Sequence, residues 1–258
     1  MDDSKFISGI FNYCDRWCER CCFTSRCRVF EQVSELSTEE LDISNLKFCN
    51  SIANNFKGTT QPPGEAAEKH GTEIEKLTKT EFKEFDRKHD LSRKIIKECE
   101  LGQLAKNYIR LANEWLKNNE HISEIQKNVL QQMNLGIRSD KETLVYVQTI
   151  KDCLEIVQWY LFMIGVKFNR ALSGKLDDDG WEEANGFQKD SDGSAKVAII
   201  STRRTFNAWL TLLNLLPNEE ENLVPILGQL QKILKKGEED FPNAKNFIRP
   251  GFDEVTVI

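Results

Sequence analysis

Five of the chain's eight cysteines fall in one short run, NYCDRWCERCCFTSRCRVF (residues 12–30), with the spacing C-x3-C-x2-C-C-x4-C. Thiols at this density have three uses: they ligate a metal, pair as disulfides, or pack as small apolar side chains on a buried helix face. Packing preference alone does not gather Cys14, Cys18, Cys21, Cys22 and Cys27 while leaving only Cys49, Cys99 and Cys153 to the rest of the chain. In a reducing compartment clustered cysteines are more often metal ligands or redox groups than structural disulfides. Metal binding is therefore the first expectation, disulfide or redox chemistry the second, and packing the third.

If the run is helical, a turn of about 100° per residue puts Cys14, Cys18 and Cys21 within roughly 60° of one another. Cys22 then lies about 80° round from Cys14, and Cys27 can fold back as a fourth donor. The expected metal ligands are Cys14, Cys18, Cys21 and Cys27, with Cys22 as the alternate. Structural zinc usually draws on two short Cys or His pairs separated by a longer loop, whereas contiguous cysteine runs wrap iron–sulfur clusters. An iron–sulfur cluster, [4Fe–4S] in type, is thus favoured over zinc. Arg16, Arg20, Arg26 and Arg28 outnumber Asp15 and Glu19 and would offset the charge of four thiolates. Residues 14–21 also match the three-cysteine spacing of radical S-adenosylmethionine enzymes, but the strands and glycine-rich segment that such a site requires are missing from the rest of the chain.

Other chemistry is less well supported. A carboxylate-bridged di-iron bundle needs Glu-x-x-His pairs, and none of His70, His89 and His121 follows a glutamate by three. Asp86 and His89 stand one turn apart, but a single Asp/His pair on a charged helix is more often a solvated face. The acidic loop with Asp177, Asp178, Asp179, Glu182, Glu183, Asp190 and Asp192 lacks the ligand order of a calcium loop and reads as solvated, with Trp181 and Phe187 expected to dock it on the bundle. Arg203 and Arg204 could reach a phosphate or carboxylate in a groove, although a surface ion pair with the acidic loop is the simpler expectation. Neither a phosphate-binding glycine loop nor a nucleophilic triad is recognisable.

The elements that must position these residues are helices. Apolar residues recur at spacings of three and four, without a series of alternating strands, so the expected class is all-α: a multi-helix bundle with one long central helix and a Cys-rich N-terminal helix or loop. A first helix is expected from Asp3 or Ser4 through Phe6, Ile10, Cys14, Cys18 and Cys21. A second, over "ISNLKFCNSIANNFKG", should stop at Gly58. The Pro- and Gly-bearing stretch 59–71 is the best boundary between an N-terminal segment (1–58) and a main bundle (72–240). One or two helices are expected between Thr72 and Asn119, and a shorter one over 121–135. "SDKE" at 139–142 is a capping box that should open the central helix, with an apolar stripe from Val145 to Leu172. After the acidic loop, a helix from Ala195 should end at Pro217 and a last one at Gly237, leaving 241–258 as an extended tail.

Bulk properties narrow the function. With 35 Lys and Arg against 41 Asp and Glu, a net charge of -6 and a pI near 5.4, the chain is a poor general binder of nucleic acid. The most apolar run, residues 156–166, is shorter than the ~20 residues of a membrane span. No secretory leader is recognisable at the N-terminus, so a cytoplasmic setting is expected. The expected function is that of a metal-binding helical protein with a structural, sensing or binding role toward a protein or small-molecule partner. The alternative is an iron–sulfur oxidoreductase passing electrons to a substrate or cofactor held in the bundle.

Overall fold

Helical periodicity resolves into seven α-helices among the described residues: α1 (Arg28–Ser34), α2 (Lys79–Glu98), α3 (Glu100–Lys117), α4 (Asp140–Leu176), α5 (Trp181–Ala184), α6 (Asp190–Leu215) and α7 (Glu220–Asp240). The structure is a computed structural model and describes residues 5–34, 50, 78–118, 127, 129, 131–137 and 139–253. Among these there is no β-strand, and the class is all-α. The second expected helix and the 59–71 boundary lie outside the described residues, apart from Asn50. None of the described helices is long and apolar enough to cross a membrane.

The chain divides into two compact units, Met1–Phe11 with Cys18–Asp90, and Asn12–Trp17 with Leu91–Ile258. In the second unit, α4 packs on α3 and α6, and α7 packs on α6 and α3, so the four helices close a ring. Its interior holds Leu101 and Tyr108 from α3, Val157, Tyr160, Ile164 and Phe168 from α4, Trp209 and Leu212 from α6, and Leu223, Ile226 and Leu230 from α7. Several polar tips inside it are paired, whereas the buried hydroxyls of Thr143, Ser194 and Ser201 have no hydrogen-bond partner among the described residues. The Trp115 Nε1–H donates to Glu219 Oε2 at 2.9 Å, the Trp209 Nε1–H to Tyr108 Oη at 3.4 Å, and the Gln229 amide to the Leu104 carbonyl at 2.9 Å.

Local chemistry sets the helix ends. Ser139 and Glu142 form the expected capping box, with both reciprocal bonds present, and α4 runs on past the apolar stripe to Leu176. Cys99 separates α2 from α3: its Sγ accepts from the Gly102 N–H at 3.3 Å while its thiol donates to the Ile96 carbonyl at 3.1 Å. Of the expected helix over 121–135, residues 127, 129 and 131–134 are described and helical, and the chain turns at Gly136 with φ of 65°.

Two boundaries differ from expectation. α6 begins at Asp190 rather than Ala195, because Glu182 accepts from the Asp190 N–H and Asp190 and Asp192 place negative charge in the first turn. α7 continues past Gly237 to Asp240, so that glycine is not a cap. It admits a neighbour instead: a Cβ there would stand 2.7 Å from Cζ of buried Phe168. The tail is not simply extended. It turns through Ala244–Asn246 and buries Phe241, Ala244 and Phe247.

Candidate metal centre and the fastened segment at residues 12–17

The first helix expected through Cys21 does not form. Residues 5–27 instead make separate 3-10 turns, including Ile10–Asn12, Cys18–Arg20 and Thr24–Arg26. Gly9 at φ 71° and Arg16 at φ 58° take left-handed conformations that no continuous right-handed helix accommodates. Asp15 adds an Asx turn, its Oδ1 accepting from the Trp17 N–H at 3.2 Å, a local bond that competes with helix. The angular argument that set Cys14, Cys18 and Cys21 on one helical face is therefore corrected.

Within the first unit the turns give Cys18, Cys21 and Cys27 a different framework. The Cys21 N–H donates to the Cys18 carbonyl at 3.1 Å, closing a C-x-x-C turn. Side chains at i and i+3 eclipse in a 3-10 turn, so this pair leaves one side of it. The Phe23 N–H donates to Cys21 Sγ at 3.4 Å, the kind of backbone donor that tunes sulfur ligands. Cys27 closes the next turn through its N–H on the Thr24 carbonyl at 3.2 Å, and its own carbonyl accepts from Glu31 at the start of α1. All five thiols are free of disulfides; Cys22 is exposed, whereas Cys14, Cys18, Cys21 and Cys27 are half-buried. Among the described residues no three His, Cys, Asp or Glu side chains converge as a metal group.

Cys14 lies in the Asn12–Trp17 segment of the second unit, which is fastened onto the helix ring. Asp15 Oδ2 accepts from the Tyr160 hydroxyl at 2.6 Å and from Arg204 at 2.7 Å, and Arg204 also donates to Tyr160 Oη at 2.8 Å. The Trp159 Nε1–H donates to the Asp15 carbonyl at 2.9 Å, and Trp17 stacks on Trp159 with ring centroids 5.0 Å apart. At the other end the Tyr13 hydroxyl donates to Asp190 at 2.9 Å, and Arg170 holds the same carboxylate. Gly193 makes room for that ring, since a Cβ there would lie 2.5 Å from Tyr13 Cε1. Lys167, buried on α4, donates to the Asn12 carbonyl at 3.0 Å. Burial, with Arg170 next, lowers the pKa of Lys167, while Cys14 acts in the opposite direction. Burial also pushes the Tyr160 hydroxyl up to about 12, helped by its bond to Asp15.

The remaining expected groups take ordinary structural places. Arg203 pairs with Glu238 and Arg204 with Asp15, neither with the acidic loop. Asp178 pairs with Lys189 and caps the Gly180 N–H, Asp179 caps the Trp181 N–H, and Glu182 caps α6. Trp181 and Phe187 stack on each other and stay about 60% exposed, so they do not dock the loop on the bundle. His89 stacks on Phe85 along α2, and His70 and His121 lie outside the described residues. The fastening of residues 12–17 escaped sequence reasoning because its partners are more than 140 residues away along the chain. A local signal existed only for the Asx turn at Asp15.

Comparison with protein-family models, with curated proteins and with solved structures returns no match.

Proposed function

We propose that this chain is a helical metal protein in which Cys14, Cys18, Cys21 and Cys27 hold an iron–sulfur cluster with a structural, sensing or binding role. One observation carries the proposal: in a run of five cysteines that form no disulfide, Cys14, Cys18, Cys21 and Cys27 are half-buried and Cys22 is exposed. The C-x-x-C turn and the Phe23 N–H bond to Cys21 Sγ suit a sulfur-ligated metal. When bound, the cluster would supply one-electron redox chemistry or a metal-dependent structural lock. The chain's own part is to present thiolates and offset their charge, for which Arg16, Arg20, Arg26 and Arg28 are at hand.

A sensing role has structural support in the second unit. Cys14 is carried by residues 12–17, whose neighbours Asp15 and Trp17 are bound to α4 and α6. Cys14, if it holds the metal, would therefore be carried on a segment already bonded to α4 and α6.

Serine replacement tests the ligand set. Cys14→Ser, Cys18→Ser, Cys21→Ser and Cys27→Ser should each lose most of the bound metal, while Cys22→Ser should keep it. If all five variants retain full metal content and an unchanged melting temperature, the assignment is wrong.

A further inference from the structure

Away from the cysteines, the second unit contains a cavity of about 510 Å³, within the range of small-ligand sites. It lies between the middle of α6 and the end of α7 with the turn that follows. Its floor is apolar: Ile199 and Ile200 from α6, then Phe241, Pro242 and Ala244. Phe241 and Ala244 are buried. The charged lining is lopsided, with Lys196, Arg203 and Lys245 against Glu238 alone. In a chain of net charge -6 this is a local reversal of sign.

The three cations are not equally committed. Lys196 is tied down, donating to the Phe247 carbonyl at 2.6 Å and pairing with Asp253 at 2.8 Å. Burial would raise the Asp253 carboxyl, yet hydrogen bonds from Arg249 and Lys196 hold it well below the usual carboxylate range, which keeps that pair charged. Arg203 pairs with Glu238 at 2.5 Å, but the two side chains are 60% and 50% exposed, and a surface pair of this kind is worth little and exchanges readily. Lys245 is exposed and has no ion pair among the described residues.

We propose that this cavity binds a small anionic amphiphile: one carboxylate or phosphate taken by Lys245 and Arg203, and an apolar chain or ring laid on Ile199, Ile200 and Phe241. Burial of the apolar part supplies affinity in proportion to the apolar surface it removes from water. The cations supply the preference of sign. A fatty carboxylate and an alkyl phosphate share this chemistry, and separate titrations of each distinguish the source.

The test is calorimetric titration of the full chain with sodium decanoate and with decyl phosphate, using acetate and decyltrimethylammonium as controls. Saturable binding of at least one of the two amphiphiles at one site per chain is expected, with neither control binding. Lys245→Glu, a surface change, should weaken binding about tenfold, and Ile200→Trp, which fills the cavity, should do the same or more. Lys151→Glu, on the outer face of α4, should leave it unchanged. Absence of saturable binding by both amphiphiles overturns the proposal. Equal affinity in Lys245→Glu and Ile200→Trp, with unchanged circular dichroism, overturns it too, as does equally tight binding of the cationic control.

Discussion

Asp15 shows how much one residue in an irregular segment can organise. Its carboxylate takes two donors from different helices, Tyr160 on α4 and Arg204 on α6, and its carbonyl takes a third from Trp159. Asp15→Ala removes the shared acceptor and leaves a partly buried hydroxyl and guanidinium facing each other. The expected cost is about 1–3 kcal/mol, the usual penalty for stranding hydrogen-bonded groups of this kind. Because Trp17 stacks on Trp159 beside it, the same variant should change tryptophan emission in the folded state, and a denaturant series read by fluorescence checks both effects. An unchanged midpoint and spectrum would mean that the segment is held by other contacts. The residue types of the cysteine cluster were legible from the start. Its backbone was not, because Arg16 in a left-handed conformation and the Asx turn at Asp15 override a pattern that otherwise has helical spacing.

At the scale of elements, the close approach of α7 to α4 depends on Gly237. Helix propensity alone would make Gly237→Ala stabilising by up to ~1 kcal/mol. The added methyl would instead stand 2.7 Å from the ring of Phe168, which is wholly buried. Overpacking of this sort costs about 1–3 kcal/mol, so the sign should reverse. Thermal unfolding of Gly237→Ala checks it, and a raised melting temperature would show that the helices can separate. This role was illegible in the sequence, where a glycine after "KILKK" reads as a helix stop. The capping box at Ser139 was legible because both partners lie within four residues. The start of α6 was not, since its cap comes from Glu182, on the preceding short helix. In general, ends fixed by neighbours in sequence could be read, and ends fixed by tertiary contact could not.

For the molecule as a whole, burial of tyrosines makes stability fall at high pH. Burial raises Tyr13, Tyr108 and Tyr160 above the ordinary tyrosine value, Tyr160 to about 12. In the unfolded chain these hydroxyls ionise near pH 10, while the folded chain still holds its protons. Above that pH the unfolded state binds fewer protons, so unfolding free energy declines with rising pH. Urea midpoints should therefore be flat up to about pH 9 and drop between about pH 10 and 12, with a shallower drop in Tyr160→Phe. A midpoint independent of pH across that window would contradict the burial. The all-α class followed from periodicity, but the closed ring of α3, α4, α6 and α7 and the fastening of residues 12–17 onto it depend on contacts between residues far apart in the chain. The central claim is that the cysteine run is a metal centre, and its most direct test is iron, sulfide and zinc analysis of the full chain purified without oxygen. A brown protein with absorbance near ~400 nm and iron matched by acid-labile sulfide is the result predicted for a cluster on these thiolates. A colourless protein containing neither iron nor zinc, with all its thiols free to react, would contradict it.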